Sequence, residues 1–302
     1  MKVLLIGLQY FSHLLANEMQ LKYPEHRFIS LNTYYSNKDR LKYLYHILSA
    51  DIVHSINGTV EKSHTLELAF KLNKKVIMHW VGTDYVNSKI LFDKKQHLQK
   101  YLDLSTHITV SPWYVNDMKS LGIDVQYAAL KGFDKEYPAV EFEKEFRVLC
   151  YISQSRPQFY GMDLLIEIAN KTPEVHYDLV GIESYDQAVP KNVFMHGWID
   201  NVDEWIKKSV ICLRFPKTDG LSFFVLESIV LHRYVAYNLP FKYSDHCQTA
   251  NDFINYIEDK KHQFDKGELN LNTQKAIEIN EEFNQEKVLE HMMTIYNNAL
   301  TN

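Results

Sequence analysis

Short apolar runs alternate with longer amphipathic stretches through the first half of the chain. The short runs predict buried strands, and the stretches with apolar residues three or four apart predict helices. The predicted strands are residues 3–7, 27–31, 52–56, 75–78 and 107–110, and the predicted helices are residues 12–23, 38–48, 63–72, 87–101 and 114–121. Strands that alternate with helices form right-handed βαβ units, so we expect a parallel sheet covered on both faces.

The same pattern restarts after residues 133–145, an acidic segment that contains Pro138, has no apolar period and is predicted to link two domains. Beyond it, the predicted strands are residues 146–152, 175–180, 193–196, 210–214 and 234–237, and the predicted helices are residues 162–170, 202–208, 223–231, 250–261 and 274–299. The two domains are then residues 1–132 and 146–285. Two successive open α/β sheets are expected to bind a ligand in the cleft between them, at the carboxyl ends of the strands.

Length and composition agree with a soluble two-domain protein. The chain has 302 residues, of which 46% are hydrophobic and 24% are charged, and globular domains of about 150 residues each have this composition. No run of 18 apolar residues is present, so we expect no transmembrane helix. The three cysteines, Cys150, Cys212 and Cys247, are far apart and form no C-x-x-C pair, which predicts reduced core thiols in a cytosolic protein.

Charge is unevenly distributed along the chain. Residues 1–132 carry 16 Lys and Arg against 11 Asp and Glu, whereas residues 133–302 carry 17 against 27. A basic first half favours an anionic partner such as phospholipid headgroups, although plain solvated surface also explains it. The basic residues cluster with aromatic ones in residues 38–46 and 89–100. These helices are expected to pack their apolar faces on their own sheet, so membrane attraction should be weak and electrostatic.

Several common enzyme signatures are absent from the sequence. The turn after the first strand lacks G-x-G-x-x-G and the chain has only 10 glycines, which argues against an NAD or FAD enzyme. No G-x-x-x-x-G-K-[ST] loop and no G-x-S-x-G elbow occur either. D-x-D is also missing, so charge on a leaving group would be met by Arg, Lys and a helix dipole. We therefore predict neither a metal nor a cofactor.

Residues 214–227 carry the most informative chemistry. A predicted strand ends at Arg214, and a loop with Gly220 opens a helix near Phe223. The backbone N–H groups of Leu221, Ser222 and Phe223 at this helix start would form an anion site suited to phosphate. Asp219 and Glu227 are eight residues apart, one in the loop and one on the helix. Glu227 lies among apolar residues, where a charge needs a partner, whereas Asp219 also fits an ordinary turn.

With these residues the sequence resembles the retaining GT-B glycosyltransferases of the family 4 type. That family's signature is two carboxylates eight residues apart followed by a strand, matched here by Asp219, Glu227 and residues 234–236, with His232 where a glycine is usual. Other segments follow in the family's order, at residues 50–54, 79–84, 109–111, 160–165, 179–181 and 196–199. The resemblance implies two Rossmann-like domains facing across a cleft, with residues 286–302 as a helix that packs on the first domain.

The resemblance also implies roles for individual residues. Glu227 would bind the nucleotide ribose, Asp219 would lie beside the donor sugar, and His79 would face the transferred sugar. Arg156 would neutralise the diphosphate, but Tyr160 occupies the position of the family's second cation, a lysine. Lys217 or Arg214 would have to replace that lysine. The other implied donor-side residues are Gly161, Gly181, Trp198, Ile199, Gly220, Leu221, Ser222 and Phe223, and the implied acceptor-side residues are Tyr10, Gly82, Thr83 and Asp84.

The expected function is transfer of a hexose-type sugar from a nucleoside diphosphate donor to a hydroxyl acceptor, with retention. The acceptor would be a glycan or a lipid-linked molecule in surface glycan assembly, handled in the cytoplasm or at the inner face of the membrane. No nucleic-acid partner is expected. One rival is a non-catalytic GT-B-like subunit that stabilises or activates another transferase, which the missing lysine favours. A second rival is a nucleotide-sugar epimerase or a phosphorylase on the same fold.

Overall fold

Two six-stranded parallel sheets organise the chain, one in each of two units. The computed structural model describes residues 1–301. The first unit contains Met1–Asp134 together with residues 283–301, and the second unit contains Lys135–Glu282.

The first unit has strands in the order β2-β1-β3-β4-β5-β6. The strands are β1 (Lys2–Gly7), β2 (Arg27–Leu31), β3 (Ile52–Ile56), β4 (Lys75–Trp80), β5 (Ser105–Thr109) and β6 (Val125–Tyr127). The helices are α1 (Gln9–Lys22), α2 (Asn37–His46), α3 (His64–Lys71), α4 (Thr83–Asp93), α5 (Gln99–Asp103) and α6 (Val115–Ser120). The short strand β6 was not predicted, because its three residues are too few to show a pattern.

The second unit repeats this plan with strands in the order β12-β11-β10-β7-β8-β9. Its strands are β7 (Arg147–Tyr151), β8 (His176–Val180), β9 (Val193–Met195), β10 (Ile211–Arg214), β11 (Tyr234–Tyr237) and β12 (Asp245–His246). Its helices are α7 (Met162–Lys171), α8 (Val202–Lys208), α9 (Phe223–Val230), α10 (Ala250–Asp265) and α11 (Thr273–Glu282), and α12 (Gln285–Thr301) follows in the first unit.

The central strands are apolar on both faces because helices cover both sides of each sheet. Val3, Leu4 and Leu5 follow one another in β1 and all three are fully buried, although neighbouring residues of a strand point to opposite faces. In the second unit the three cysteines are free and buried, as predicted.

The predicted terminal helix at residues 274–299 is two helices, which corrects the prediction. The chain leaves α11 at Glu282 and begins α12 at Gln285. Between them Phe283 is buried, and its carbonyl accepts a hydrogen bond from Phe133 N at 2.8 Å. Gln285 N donates in turn to Phe133 O at 3.0 Å. These two bonds pull the backbone out of the helical ladder, which the helical spacing of side chains does not reveal.

The segment predicted as a linker, residues 133–145, is more tightly held than expected. The Tyr137 carbonyl lies 3.1 Å from His232 Nε2, and the Val140 carbonyl accepts from Arg233 Nη2 at 2.8 Å. Phe142 packs against the core of the second unit. Most of the segment therefore belongs to the second unit, because buried side chains around it satisfy its backbone groups.

The helix α2 departs from the expectation that its apolar face packs on the sheet. Only Tyr43 of this helix is buried, whereas Leu41, Leu44 and Tyr45 are all more than half exposed. The apolar spacing that predicts the helix is real, but most of its members lie on the solvent side.

Across residues 1–301, no helix combines the length and the apolarity needed to cross a membrane.

Candidate active site

The strand order of the second unit defines where its ligand site should lie. Strand β7 is the first strand of this unit and lies at the centre of its sheet, with β8 on one side and β10 on the other. The connections after β7 and β10 therefore leave in opposite directions and open a crevice at the carboxyl ends of the strands, where α/β proteins bind ligands. Loop 152–161 and loop 215–222 border this crevice. Arg156, Gly161, Asp219 and Gly220 from the predicted site all lie in these two loops.

A buried ion pair closes the end of β10. Arg214 Nε donates to Asp219 Oδ2 at 2.8 Å, and the Arg214 side chain is 7% exposed. The Tyr237 hydroxyl lies 3.0 Å from the same Oδ2 atom and 3.1 Å from the Gly220 carbonyl. Burial disfavours the Arg214 charge, but the Asp219 carboxylate outweighs it and raises the pKa of Arg214. Asp219 therefore fastens loop 215–222 to two strand ends, and its placement beside a donor sugar stays a prediction.

The helix α9 starts directly behind this loop. Ser222 is its N-cap residue and makes no side-chain capping bond, and the first intrahelical bond runs from Leu226 N to Ser222 O at 3.1 Å. The N–H groups of residues 223–225 precede this bond and point out of the helix start. The sequence predicts these donors at residues 221–223, so Phe223 is common to both sets. Glu227 lies in the second turn and is half-buried.

Tyr160 lies close to two guanidinium groups. Its ring centroid is 5.0 Å from Arg214 Cζ and 5.8 Å from Arg156 Cζ. Arg156 also lies over the Phe159 ring at 4.5 Å and is exposed. An aromatic face attracts a cation, so Tyr160, at a position where a lysine was expected from the sequence, holds two arginines near the crevice instead of supplying a third cation.

Two glycines of the predicted donor site permit close packing between loops. Gly161 has a φ of 89°, and a Cβ there would overlap the Phe215 ring and lie 2.8 Å from the Phe215 carbonyl. Gly181 has a φ of 87°, and a Cβ there would lie 2.7 Å from Ile152 O. Lys217 N also donates to Phe159 O at 2.8 Å, which joins the two crevice loops directly.

We expect Gly161→Ala to destabilise the second unit by about 2–3 kcal/mol, because it adds a backbone overlap to the cost of a left-handed alanine. Gly267→Ala is the matched control, since Gly267 has a φ of 70° but a methyl group on its Cα would meet nothing within 4 Å. It should cost only about 1 kcal/mol. Urea unfolding of both variants measures the difference, and equal losses would contradict the close approach of Phe215.

The other predicted donor residues lie farther along the sheet. Trp198 and Ile199 follow β9, the edge strand, and Trp198 is 79% exposed. Gly181 N donates to Gly197 O at 2.7 Å, which ties the end of β8 to this loop. Trp198 and Ile199 are thus two strands away from the crevice between β7 and β10.

In the first unit, the histidine predicted to be catalytic is part of the core. His79 and His54 are both completely buried. His79 Nε2 lies 3.0 Å from the Ala128 carbonyl, His79 Nδ1 lies 3.2 Å from His54 Nε2, and His54 Nδ1 lies 2.8 Å from the Tyr296 hydroxyl. This corrects the assignment of His79 to a transferred sugar, because both ring nitrogens are engaged inside the protein.

The hydrogen-bond partners of His79 and His54 determine which ring nitrogen of each histidine carries the proton. A carbonyl only accepts, so His79 Nε2 must carry a proton and its Nδ1 must accept when the ring is neutral. His54 Nε2 then donates to His79, and the Tyr296 hydroxyl donates to His54 Nδ1. Burial lowers the pKa of His79 to about 3 and, with His79 beside it, lowers the pKa of His54 well below its usual value. Both rings are therefore neutral.

Asp84, predicted on the acceptor side, is also structural. It is 7% exposed and accepts backbone hydrogen bonds from Gly58 at 2.6 Å and Val81 at 3.0 Å. Burial raises the pKa of Asp84 to about 6, although these backbone donors oppose the rise. Gly82, with a φ of 123°, and Thr83 form the helix start that Asp84 stabilises. Tyr10, by contrast, is 65% exposed on the first turn of α1.

A large cavity in the first unit was missed by the sequence reading. It has a volume of about 800 Å³ and lies at the carboxyl ends of β1 and β3, where the order of that sheet reverses. Gly7, Tyr34, Arg40, Asn57 and Lys62 are among its lining residues. Asn57 has a φ of 137°, an unusual conformation for a residue with a side chain. The strand order would have located the cavity, but a sequence pattern does not show which strands are neighbours.

Within residues 1–301, no group of three or more His, Cys, Asp and Glu side chains could hold a metal ion. Metal independence of any reaction stays a prediction.

Solved structures share this fold at low sequence identity. Sucrose-phosphate synthase from Thermosynechococcus elongatus matches with a TM-score of 0.73 and 12% identity over 100% of both chains. Anabaena Alr3699/HepE in complex with UDP and glucose matches with a TM-score of 0.70 and 11% identity, over 98% of this chain and 99% of that chain. TarM matches with a TM-score of 0.59 and 14% identity, over 82% of this chain and 54% of its own. The present chain thus spans about half of TarM.

No protein-family model matches the chain, and no curated protein matches it in sequence. The fold prediction is confirmed, because both units are Rossmann-like α/β domains of the GT-B type, each with a six-stranded parallel sheet.

Proposed function

We propose that this protein is a glycosyltransferase that takes a hexose-type sugar from a nucleoside diphosphate and transfers it to a hydroxyl acceptor with retention. The observation that carries the proposal is the crevice between β7 and β10, where the start of α9, the Arg214–Asp219 pair and Arg156 converge. UDP is the first candidate nucleotide, since a protein of the same fold holds UDP and glucose.

In the proposed reaction, the N–H groups at the start of α9 and the Arg156 guanidinium stabilise charge on the diphosphate as it leaves. One well-placed donor of this kind contributes about 10²–10³ in rate. Glu227 accepts hydrogen bonds from the ribose hydroxyls. The acceptor oxygen bonds to the anomeric carbon on the face that the diphosphate leaves, and the acceptor proton passes to a phosphate oxygen. No metal ion and no covalent sugar–enzyme intermediate are needed.

One observation favours a second candidate, a non-catalytic accessory subunit of another transferase. Arg214 is paired with Asp219 instead of pointing its charge at a ligand, and Tyr160 occupies the position of the family's lysine. This arrangement leaves Arg156 and exposed Lys217 as the cations beside the crevice. Fewer cations give less stabilisation of the leaving group.

Titration calorimetry with UDP, GDP, ADP and TDP is expected to show binding of at least one nucleotide. Glu227→Ala should weaken it by about 1.5–3 kcal/mol, the usual loss for hydrogen bonds to a charged group. Glu167→Ala is the control, because Glu167 is exposed on α7 of the same unit. If none of the four nucleotides binds, the transferase proposal fails.

Turnover separates the two candidate functions. A transferase should slowly release UDP from a UDP-hexose in water, and nuclear magnetic resonance should first detect the freed sugar in the donor's anomeric configuration. Nucleotide binding without turnover of any UDP-hexose, even with added acceptor, would favour the accessory subunit. Release of the inverted anomer would contradict retention alone.

A further inference from the structure

The helix α2 carries an apolar stripe that faces away from the protein core. Leu41, Leu44, Tyr45 and Leu48 are exposed by 69%, 52%, 74% and 67%. They are spaced three, four and seven residues from Leu41, so they form one continuous face across the helix and the turn that follows it. The core contact is made by other residues, since Tyr43 is 1% exposed. We call these four residues the α2 stripe.

Basic residues border the α2 stripe. Lys38 is exposed on the same helix, and Lys42 has a side chain that is 49% exposed and lies 3.1 Å from Asp39. At the far end of the stripe, Lys74 Nζ donates to the Leu48 carbonyl at 3.1 Å. Tyr35, just before the helix, is 86% exposed. Apolar and aromatic side chains flanked by lysines are typical of helices that lie in the interface of an anionic bilayer.

The cavity of the first unit is continuous with this surface. Leu41 and Leu44 belong to the α2 stripe and also line the cavity, which is lined by Gly7 and Asn57 as well. The backbone of Asn57 is strained. The Asn57 side chain is held by a hydrogen bond from its Nδ2 group to the Tyr34 hydroxyl at 2.9 Å. Strained residues of this kind persist where the surrounding structure holds them, often at ligand sites. A ligand entering beside the α2 stripe would thus reach the carboxyl ends of β1 and β3.

We propose that the first unit docks on an anionic lipid bilayer by inserting the α2 stripe into the headgroup region, with the cavity opening toward the lipid. A helix that lies in the membrane interface buries its apolar face about 5–10 Å into the boundary between headgroups and acyl chains. The inference that the acceptor is lipid-linked, with its polar end in the cavity, rests on the proposed function. The docking itself does not depend on the proposed function. It replaces the expectation from the sequence that membrane attraction is weak and purely electrostatic.

Charge favours a bilayer over a second copy of this chain as the occupant. In a two-fold dimer built on the α2 stripe, the same patch would face itself. Lys38 and Lys74 of each copy would then approach the lysines of the other, while Asp39, the carboxylate on the same helix, is already paired with Lys42. An anionic bilayer supplies the opposite charge, with about 1 kcal/mol for each basic residue near the surface.

The test is flotation with vesicles of phosphatidylcholine alone and of equal parts phosphatidylcholine and phosphatidylglycerol. The protein should float with the anionic vesicles, and a measurable fraction should persist at about 1 M salt, where the Debye length is only about 3 Å. Leu44→Ser/Leu48→Ser should abolish this salt-resistant fraction. Leu21→Ser should not, since Leu21 is an 84% exposed leucine on α1 of the same unit. Lys38→Gln should weaken binding at low salt only.

The proposal is overturned if the protein ignores anionic vesicles, if its binding vanishes completely in high salt, or if the serine variant floats like the parent. It is also overturned if light scattering shows a dimer that the serine variant dissociates, because a second copy would then cover the α2 stripe. Calorimetry with UDP, GDP, ADP and TDP on the same preparations keeps the outcomes separate. Flotation without nucleotide binding would sink the proposed function and leave membrane docking intact.

Discussion

Asp219→Ala is expected to remove about 3–5 kcal/mol from the free energy of unfolding of the second unit. The change leaves the Arg214 guanidinium buried at the end of β10 with no counter-charge, and breaking one side of a buried ion pair costs about this much. The arginine side chain is 7% exposed and the aspartate 16%, so water screens the pair little. Hydrogen exchange of the amides in β7 and β10 measures the loss within that unit.

Two further variants separate the charge of Asp219 from its other contacts. Asp219→Asn keeps an acceptor for Arg214 Nε but loses the charge, so its loss should be smaller than that of the alanine variant. Arg214→Met/Asp219→Ala removes both charges and should recover at least half of the loss, because a buried pair can be replaced by apolar groups at little cost. A stability of Asp219→Ala within about 0.5 kcal/mol of the parent would contradict a buried pair.

The same double variant tests the catalytic assignment of Asp219. If the carboxylate acts only by fastening loop 215–222, restored stability should bring restored nucleotide binding and turnover. If it also contacts the donor sugar, binding should return while turnover stays low. Asp219→Ala alone cannot make this distinction, because unfolding and loss of catalysis would both lower the activity measured in an assay.

The arrangement of strands and helices follows closely from periodicity. Strands β2, β3 and β11 and helix α8 begin and end at the predicted residues. Interior strands such as β1 show as continuous apolar runs because both of their faces are buried. His232 follows the C-cap of α9 at a position where the sequence comparison led us to expect a glycine. It adopts a φ of 64°, the left-handed conformation that glycine favours and that commonly ends a helix.

The identity of site residues was harder to predict because it depends on which elements are neighbours. His79 and Asp84 have the residue types and positions of a sugar site, yet Ala128, His54 and Gly58 satisfy their polar atoms from distant parts of the sequence. The α2 stripe was misassigned for a related reason. Helical spacing shows that apolar residues share a face, but only the packing shows whether that face meets the sheet or the solvent.

The buried histidine pair should make the first unit lose stability steeply in mild acid. The pKa of His79 falls to about 3 in the folded state and that of His54 falls well below 6.5, both through burial. Unfolded histidines titrate near 6.5, so below that pH the unfolded state binds more protons than the folded one. Stability is therefore fully present above about 6.5 and falls with decreasing pH, by about 1.4 kcal/mol per pH unit for each ring.

We expect the His54→Leu/His79→Leu variant to lose most of this slope, about 2.7 kcal/mol per pH unit between roughly pH 6 and pH 5. Asp84 acts in the opposite direction, since burial raises its pKa to about 6, so the informative quantity is the difference in slope between variant and parent. Hydrogen exchange of the β3 and β4 amides reports on the first unit alone. Tyr296→Phe is the control, because it removes the hydroxyl that bonds to His54 Nδ1 but keeps both histidine rings. It should lower stability by about 1 kcal/mol at neutral pH and leave the slope in place. Equal slopes in the parent and the double leucine variant would mean that the two histidines bind protons in the folded protein at the same pH as in the unfolded one.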